Sequence, residues 1–390
     1  MGMIYRFGQL FNVVDGDRGK NYPKDCDFSD KGYCLFLNAG NVTKNGWSFE
    51  NNSFITEEKD QLLHNGRLTR ENTVFTTRGT VGNAAYYGKN IPFEHIRINS
   101  GMVILSSKDT SLIQNKFIYY LVTSPYAKKT IEMFCSGSAQ PQLPIKDFVK
   151  IKFNLPSIEH QQKITYILSA YDNLIENNNK RTKILEQMAE NLYKEWFVRF
   201  RFPDYQNSEF ENGIPKGWNV VKIKKCVKRL AFNRLYKENE LEKEGNVIVI
   251  DQSANEYLGF HNNEPSHYAN YENPIILFGD HTCKCKLMCK DFSLGENVVP
   301  FCSSDTNFTD IYFLYYAVHK IITTEEYKRH WGRFITLKIL VPPIELQRKY
   351  SKLVVWFEKE KEVLFKHNLN LIKQRDMLLP RLMSGKLEVK

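Results

Sequence analysis

The sequence predicts an α+β fold in which two globular α/β domains are joined by two long antiparallel, coiled-coil-like helices, with an internal pseudo-two-fold repeat. One motif is written twice, as LPSIEHQQKI from Leu155 to Ile164 and as VPPIELQRKY from Val341 to Tyr350. Apolar residues at heptad spacing follow each copy, which is typical of a long helix that packs on another helix. Strand-like runs precede each copy in the same order. The repeated motif, the long helix after each copy and the shared order of the strands together indicate that the chain is duplicated.

Residues 1–153 are predicted to form the first domain, a compact α+β unit. Short β-rich runs such as YCLFLNAGNV, NTVFTTRGTV and GMVILSS are separated by glycine and asparagine turns. Near the end of this segment, residues 116–134 have the pattern of a helix that a Ser-Pro pair interrupts.

Residues 154–212 are predicted to form a helical spacer. A helix from 164 to 199 would span about 54 Å, which favours a coiled coil over an ordinary amphipathic helix. The segment FRFPDYQNSEFENGIPKGW, residues 200–218, ends it with proline, glycine and asparagine. The seam, the stripe of residues that would face the partner helix, has spacings that alternate between four and three. Asn178 and Thr182 separate its two apolar halves. These halves are Ile164, Leu168, Tyr171 and Ile175, then Leu185, Ala189, Leu192 and Trp196.

Residues 213–340 are predicted to form the second domain, with the order of the first. NPIILFGDHTC (273–283) takes the place of NTVFTTRGTVG (72–82), and a tyrosine-rich helix over 310–322 follows.

Residues 341–390 are predicted to form the second helical spacer. The first helix leaves the first domain for the second, and the second helix begins where the second domain ends. The two helices can therefore bury their seams on each other only if they run antiparallel. The predicted seam residues of the second helix are Leu353, Phe357, Leu364, Leu371 and Leu378.

The composition favours an acidic partner, and a nucleic acid is the most favoured of these. The chain has 390 residues and a formal net charge of +10, and neutralising DNA phosphates with basic side chains releases counterions. A two-fold body can place one domain on each half of a double-stranded DNA site. No apolar run reaches the roughly 18 residues of a membrane span, and the N-terminus lacks signal-peptide features. We therefore expect a cytoplasmic protein that does not enter a membrane.

The sequence predicts neither a metal site nor a catalytic site in this chain. HTCKCKLMC (281–289) lacks a second cysteine or histidine pair at zinc spacing, so a half-buried strand with free thiols is the better interpretation. GDRGK (16–20) is too short for a P-loop, and no dinucleotide fingerprint follows a strand. A self-contained methyltransferase or nuclease stays open as the less favoured alternative, because carboxylate clusters such as EEKD (57–60) arise easily by chance.

Candidate DNA contacts lie in polar and basic stretches of both domains. Arg78 in TTRGT could donate two hydrogen bonds to guanine or hold a phosphate, and Gln140 or Gln142 could read adenine. EEYKRHWGRF (325–334) mixes basic and aromatic residues, although Trp331 and Phe334 also suit a core. Each residue could equally serve structure or solubility. The candidates are Lys20, Arg67, Thr76, Thr77, Arg78, Ser138, Gln140, Gln142, His281, Lys284, Lys286, Tyr327, Lys328, Arg329, His330 and Arg333.

The two motif copies, each opening a long helix, resemble the two conserved regions of type I restriction–modification specificity subunits. So do LEQMAENLYKEWFVRFRFP (185–203), IPKGW (214–218), GSAQPQLP before the first copy, and LLPRLMSGKLEV (378–389). The resemblance covers essentially the whole chain. The N-terminal segment departs from it, because it lacks the Gly-Trp pair that the second domain has at Gly217 and Trp218.

The resemblance implies a non-catalytic DNA-recognition subunit. Each domain would be a target recognition domain that reads one half of a bipartite, asymmetric site in double-stranded DNA. The helical pair would set the spacing and dock two modification (methyltransferase) subunits, through which restriction (motor-nuclease) subunits join. The resemblance also implies that this chain holds no cofactor and that S-adenosylmethionine, ATP and Mg bind to the partner subunits. A coiled-coil adaptor without DNA readout is the alternative.

Overall fold

The computed structural model describes residues 3–44, 46–49, 51–135, 141–232, 234–253, 257–322 and 329–387. The chain forms two compact units. Unit 1 comprises residues 1–176 and 368–390, and unit 2 comprises residues 177–367. These bounds differ from the four segments predicted from the sequence, because each long helix contributes one part to unit 1 and another part to unit 2.

Unit 1 is built from short strands and short helices, followed by the beginning of the first long helix. Its strands are β1 (Met3–Arg6), β2 (Phe11–Asp15), β3 (Cys34–Phe36), β4 (Val42–Thr43), β5 (Gly46–Trp47), β6 (Phe54–Ile55), β7 (Thr73–Thr76), β8 (Ala84–Tyr86), β9 (Ile96–Arg97), β10 (Met102–Ser107) and β11 (Lys152–Leu155). Its helices are α1 (Phe7–Leu10), α2 (Glu57–Leu62), α3 (Asn115–Thr123), α4 (Pro125–Phe134) and α5 (Ile145–Phe148).

The first long helix, α6 (Ile158–Tyr193), runs from unit 1 into unit 2 and ends in a π-helical turn, Lys194–Val198. The strands of unit 2 are β12 (Phe210–Glu211), β13 (Ile214–Pro215), β14 (Asn219–Lys222), β15 (Val227–Arg229), β16 (Val247–Ile250), β17 (Gly259–His261), β18 (Ile275–Gly279), β19 (Cys285–Met288), β20 (Phe292–Leu294), β21 (Val298–Ser303) and β22 (Lys338–Val341). Its helices are α7 (Ile311–Val318) and α8 (Trp331–Phe334), and the second long helix, α9 (Ile344–Met383), returns to unit 1.

Both units have the same sheet topology, which confirms the predicted duplication. The larger sheets have strand orders β2-β10-β7-β8 and β15-β21-β18-β19. In the smaller sheets β6-β3-β9 and β17-β16-β20, the middle strand pairs antiparallel with one neighbour and parallel with the other. In each unit an early strand pairs with the last one, β1 with β11 in unit 1 and β14 with β22 in unit 2.

Local sequence signals explain several of these elements. The Ser-Pro pair separates α3 from α4 as predicted, because Ser124 caps α4 by accepting a hydrogen bond from the backbone N–H of Ala127 at 3.2 Å. Pro125 takes the first helical position, where a missing N–H costs nothing. The cysteine-rich stretch forms β19, a half-buried strand as expected, and all eight cysteines, which lie in the described ranges, are free.

The long helices pack antiparallel within unit 2. Lys361 Nζ of α9 lies 3.7 Å from a carboxylate oxygen of Glu186 on α6. Tyr193, further along α6, contacts Tyr350, which precedes Lys361 on α9, at a ring-centroid distance of 6.3 Å. Residues that come later in α6 therefore contact residues that come earlier in α9, as an antiparallel pair requires.

The inward face of α9 differs from the predicted seam at one residue. Leu353 is 46% exposed, whereas its neighbour Val354 is fully buried. Tyr350 and Leu364 are also buried, and Phe357 is half-buried. Val354 therefore holds the seam position that the sequence analysis assigned to Leu353.

Within unit 1, the beginning of α6 and the end of α9 complete one core. Ile164 and Leu168 of α6 cluster with Leu379 and Leu382 of α9, around the buried aromatic rings of the domain. Arg375 of α9 pairs with Asp172 of α6 at 2.9 Å beside this cluster. The core of unit 1 therefore includes residues from the far end of the chain.

The repeated motif ties each long helix to its own domain through a buried glutamine. In unit 1, the side-chain amide of Gln161 donates to the carbonyls of Leu112 and Pro156, both at 2.9 Å, and accepts from the N–H of Gln114 at 3.1 Å. The side chain is fully buried. It thus joins α6 to the loop that leads into α3.

Unit 2 repeats this arrangement at Gln347. Its amide donates to the carbonyls of Phe308 at 3.1 Å and Pro342 at 2.7 Å, and accepts from the N–H of Asp310 at 2.8 Å. We call each set of three hydrogen bonds a glutamine bridge.

A tyrosine on the tyrosine-rich helix makes a second repeated contact. In unit 1, Tyr120 donates to Asp172 on α6 at 2.6 Å, and in unit 2, Tyr316 donates to Glu358 on α9 at 3.3 Å. Burial is the main cause that raises the pKa of both phenols well above the ordinary range. Both phenols therefore stay protonated and act as hydrogen-bond donors.

Candidate nucleic-acid interface

In unit 1, loops from distant parts of the chain meet at one edge of the larger sheet. These edge loops of unit 1 comprise residues 15–20, 63–67, 77–83, 98–101 and 141–143. The N–H groups of Thr77 and Arg78 donate to the carbonyl of Gly101 at 2.8 and 3.2 Å. On the other side, Gly79 donates to Pro141 at 3.1 Å. The loop that carries Arg78 is thus held between two others.

Glycine lets two of these loops touch. A Cβ on Gly16 would collide with the backbone carbonyl of Asn99, and Gly66 comes close to Gly16 from the other side. Arg18, two residues after Gly16, donates to the carbonyl of Ser100 at 3.2 Å and pairs with Asp15 at 2.8 Å. Arg18, which the sequence analysis did not select, thus joins the edge.

A buried arginine fixes the shape of the neighbouring loop. Arg97 forms an ion pair with Asp60, and its guanidinium donates to the carbonyls of Asn65 at 2.7 Å and Leu63 at 3.0 Å. Neither side chain of the pair is more than 5% exposed. Such a pair is costly to break, because one partner alone would leave a buried charge without compensation. The loop at 63–67 is therefore rigidly positioned.

The structure brings together four of the predicted contacts in unit 1. Lys20, Arg78 and Gln142 are exposed on the edge loops, and Arg78 and Gln142 form a β-bridge. Among the residues that the structure describes, the Arg78 guanidinium makes no hydrogen bond or ion pair. Arg67 is also exposed, but it pairs with Asp60 at 3.2 Å and contacts His95 at 3.0 Å. Arg78 is thus better placed than Arg67 to contact DNA.

The prediction that Thr76 and Thr77 contact DNA is wrong. Thr76 is 1% and Thr77 5% exposed. The Thr76 hydroxyl donates to the carbonyl of Thr80, and the Thr77 hydroxyl donates to that of Gly101 at 3.1 Å. Both hydroxyls therefore hold the Arg78 loop in place and do not face a ligand.

The edge loops of unit 2 comprise residues 251–253, 279–284, 295–297 and 329–331, and they repeat the backbone contacts of unit 1. Asp280 donates its N–H to the carbonyl of Asn297 at 2.9 Å, as Thr77 does to Gly101. His330 donates its N–H to the carbonyl of Asp280 at 2.8 Å, as Leu143 does to Thr77 at 2.9 Å. Position 281 in unit 2 therefore corresponds to Arg78 in unit 1.

The side chains at this second edge differ from those at the first. Arg329 is 81% exposed, with its Nε 3.8 Å from a carboxylate oxygen of Asp280. Lys284 and Arg333 are exposed and His281 is half-buried. Lys286 is half-buried and donates to the carbonyl of Asp251 at 3.4 Å. Basic side chains thus occupy both edges, but with different neighbours.

The prediction that His330 contacts DNA is wrong. Its side chain is fully buried. The aromatic neighbours Trp331 and Phe334 belong to the core of unit 2. Ser138, Gln140, Tyr327 and Lys328 lie outside the described residues. Over the described part of the chain, no group of three or more metal-ligating side chains occurs, and no helix is long and apolar enough to cross a membrane.

The role of the two glutamines was not predicted, although the repeated motif carries a signal for it. Gln161 and Gln347 hold the same place in the two motif copies. A polar residue that is kept at one place in a repeat indicates a buried hydrogen-bonding role as readily as a surface one.

Comparisons with known proteins agree with this architecture. Residues 3–187 match the family described as type I restriction modification DNA specificity domain. The MjaIX type I restriction enzyme specificity subunit of Methanocaldococcus jannaschii is 26% identical, over 81% of this chain and 77% of its own length. The MjaVIII subunit of the same organism is 24% identical, over 75% of each chain. The S subunit structure of a type I system from M. genitalium aligns with a TM-score of 0.51 at 16% identity, over 97% of this chain and 95% of that one.

Proposed function

The chain belongs to the type I restriction–modification specificity-subunit family, and on that premise we propose that it selects the DNA sequence on which such a complex acts. Each unit reads one half of a bipartite site in double-stranded DNA through its edge loops. Because the two edges carry different side chains on the same backbone plan, the two half-sites have different sequences.

One observation carries this proposal. The edge loops are the place where the two units share backbone contacts but differ in side chains, with Arg78 at one edge and His281 at the other. A rigid frame with variable polar groups suits base recognition, because base edges are distinguished by their pattern of donors and acceptors. The net charge of +10 supplies the attraction to phosphates that does not depend on sequence.

The long helices provide the surface for the other subunits of the complex. Each helix leaves apolar side chains exposed in water, among them Leu174 (51%) and Ile184 (54%) on α6 and Trp356 (55%) and Met377 (52%) on α9. A protein partner that docks on the helices would remove these side chains from water. In this proposal two modification subunits dock here, and they bind S-adenosylmethionine and methylate adenine. Restriction subunits, which use ATP and Mg, join through them.

Mapping N6-methyladenine across the host genome, with and without this gene, tests the proposal. We expect the deletion to remove methylation at one split motif, with two short specified blocks around a fixed gap. Restoring the gene should restore that motif. If methylation at every motif persists in the deletion strain while the modification subunits are expressed, the proposed function is wrong.

DNA binding by the purified full chain gives an independent test. Phosphate contacts make the affinity fall steeply with salt, with a slope of about 0.9 for each neutralised phosphate. We expect such a slope for duplex DNA. An adaptor without DNA readout would bind duplex DNA weakly and without preference for the motif.

A further inference from the structure

Asn297 occupies a distinctive place among the edge loops of unit 2. It lies immediately before β21, and its carbonyl accepts the hydrogen bond from the N–H of Asp280 that holds the neighbouring loop. Its φ of +59° lies in the left-handed region, which asparagine tolerates better than most residues. The side chain is half-buried.

Unit 1 has no side chain at the equivalent position. Gly101 lies immediately before β10 and accepts the equivalent hydrogen bond from Thr77. A Cβ on Gly101 would lie 3.8 Å from the Cβ of Arg78. The position therefore adjoins that of Arg78, the side chain best placed for readout in unit 1, and in unit 2 it carries an amide.

The amide of Asn297 is available for a ligand. Within the described residues it makes no hydrogen bond or ion pair. Two other amides at the edges are engaged: Gln252 accepts from the N–H of His281 at 3.1 Å, and Asn99 accepts from that of Gly101 at 2.9 Å. The left-handed backbone explains why an asparagine is accepted at this position, but its amide has no partner within the described residues.

Space for a ligand adjoins this amide. Asn297 lines a cavity of about 450 Å³ together with Asp251, Gln252, Leu258 and Glu296. Glu296 is exposed. Tyr236, Lys237 and Glu238 complete the lining, which therefore offers hydrogen-bond donors as well as carboxylate acceptors.

We propose that Asn297 determines specificity in the second half-site by reading an adenine. Its Oδ1 accepts from the adenine N6 amino group while its Nδ2 donates to N7, a bidentate pair in the major groove that a guanine or a pyrimidine cannot form. This inference rests on the proposed function, because it assumes that the edge loops face DNA.

Two substitutions at this position separate base reading from loop geometry. Asn297→Gly removes the amide and keeps the left-handed backbone without strain. Asn297→Asp also tolerates that backbone but replaces the amide with acceptors alone, which suit the N4 amino group of cytosine. Asn212→Gly is the matched control, because Asn212 has a φ of +51° in the exposed turn between β12 and β13 of the same unit.

The experiment selects duplexes from a randomised DNA library with the full-length wild-type chain and each variant. We expect Asn297→Gly to reduce the preference for adenine at one position of one half-site by roughly 10- to 100-fold and to leave all other positions unchanged. Asn297→Asp should shift the preference at that position from adenine to cytosine. Asn212→Gly should select the wild-type motif.

Three other outcomes would overturn the inference. An unchanged motif with Asn297→Gly would show that the amide reads no base. A uniform loss of affinity across all sequences would assign Asn297 to the backbone or to phosphate contact. If the wild-type chain selects no bipartite motif, the proposed function itself fails, and this inference fails with it.

Discussion

Replacing Gln347 by alanine would test whether the glutamine bridge holds the domain of unit 2 to its long helix. The side chain is fully buried and makes three hydrogen bonds, to Phe308, Pro342 and Asp310. The substitution removes all three and leaves two carbonyls and one N–H without partners.

The three lost hydrogen bonds set the expected loss of stability. A buried polar group that loses its partner costs about 1–3 kcal/mol. Three such groups at the low end of this range give about 3 kcal/mol, which is large for a single substitution. Gln347→Glu keeps the volume and the acceptor for Asp310 but loses both donations to carbonyls. It should therefore destabilise unit 2 by a similar amount although it creates no cavity.

Hydrogen exchange followed by mass spectrometry is the appropriate assay, because a chain with two compact units need not unfold in one step. A loss of about 3 kcal/mol corresponds to roughly 100-fold faster exchange in segments that open together. We expect this in residues 308–318 and 341–352, with unit 1 unchanged. Gln161→Ala should give the mirror result in unit 1, at residues 112–123 and 155–164.

Gln162 provides the matched control. It neighbours Gln161 but is exposed, so Gln162→Ala should exchange like the wild type. If Gln161→Ala and Gln347→Ala also exchange like the wild type, the bridges are not what joins the domains to the helices.

Three further predictions follow from the same geometry. Val354→Asp should unfold unit 2 while the adjacent Leu353→Asp leaves it folded, because Val354 is fully buried and Leu353 is 46% exposed; far-ultraviolet circular dichroism during urea unfolding would show the difference. Arg78→Ala should reduce the preference for one base pair in one half-site by about 1–3 kcal/mol, whereas Arg348→Ala, at an exposed arginine of α9, should not; equal weakening on all sequences would make Arg78 a phosphate contact. Hydrogen bonds from Lys194 and Lys320 lower the pKa of Glu190 from 4.5 to about 2. The contribution of this carboxylate to the stability of the folded chain is therefore fully present above about pH 4.5 and is lost as the pH falls towards 2. When the pH is lowered from about 6 to about 3, the thermal stability of Glu190→Gln should fall less than that of the wild type.

The sequence predicted the helical pair well because heptad spacing is a strong periodic signal. It misplaced Leu353 because leucine was taken as the mark of the seam. The inward positions of this stretch are Tyr350 and Val354, and Leu353 lies outside by one residue. A helix turns about 100° per residue, so an error of one position moves a side chain from the interface to solvent.

The candidate DNA contacts were predicted less well because residue type does not reveal direction. Thr76, Thr77 and His330 are polar, and each was taken for a ligand contact, but all three are buried. The two threonine hydroxyls bond the backbone of the loops at the edge that carries Arg78, and the backbone N–H of His330, not its imidazole, bonds the carbonyl of Asp280. Hydrogen bonding to neighbouring loops depends on strand pairing, which a single sequence does not display.

The core of unit 1 has a consequence for the order in which the protein matures on the ribosome. Leu379 and Leu382 complete this core, yet they follow the whole of unit 2 in the sequence. Domains generally fold as they emerge during synthesis. Unit 2 can therefore finish folding before unit 1 does. A chain truncated before Leu378 would lack these residues and would expose apolar surface on unit 1. A quality-control protease would then degrade the N-terminal domain, although the truncation lies at the C-terminal end.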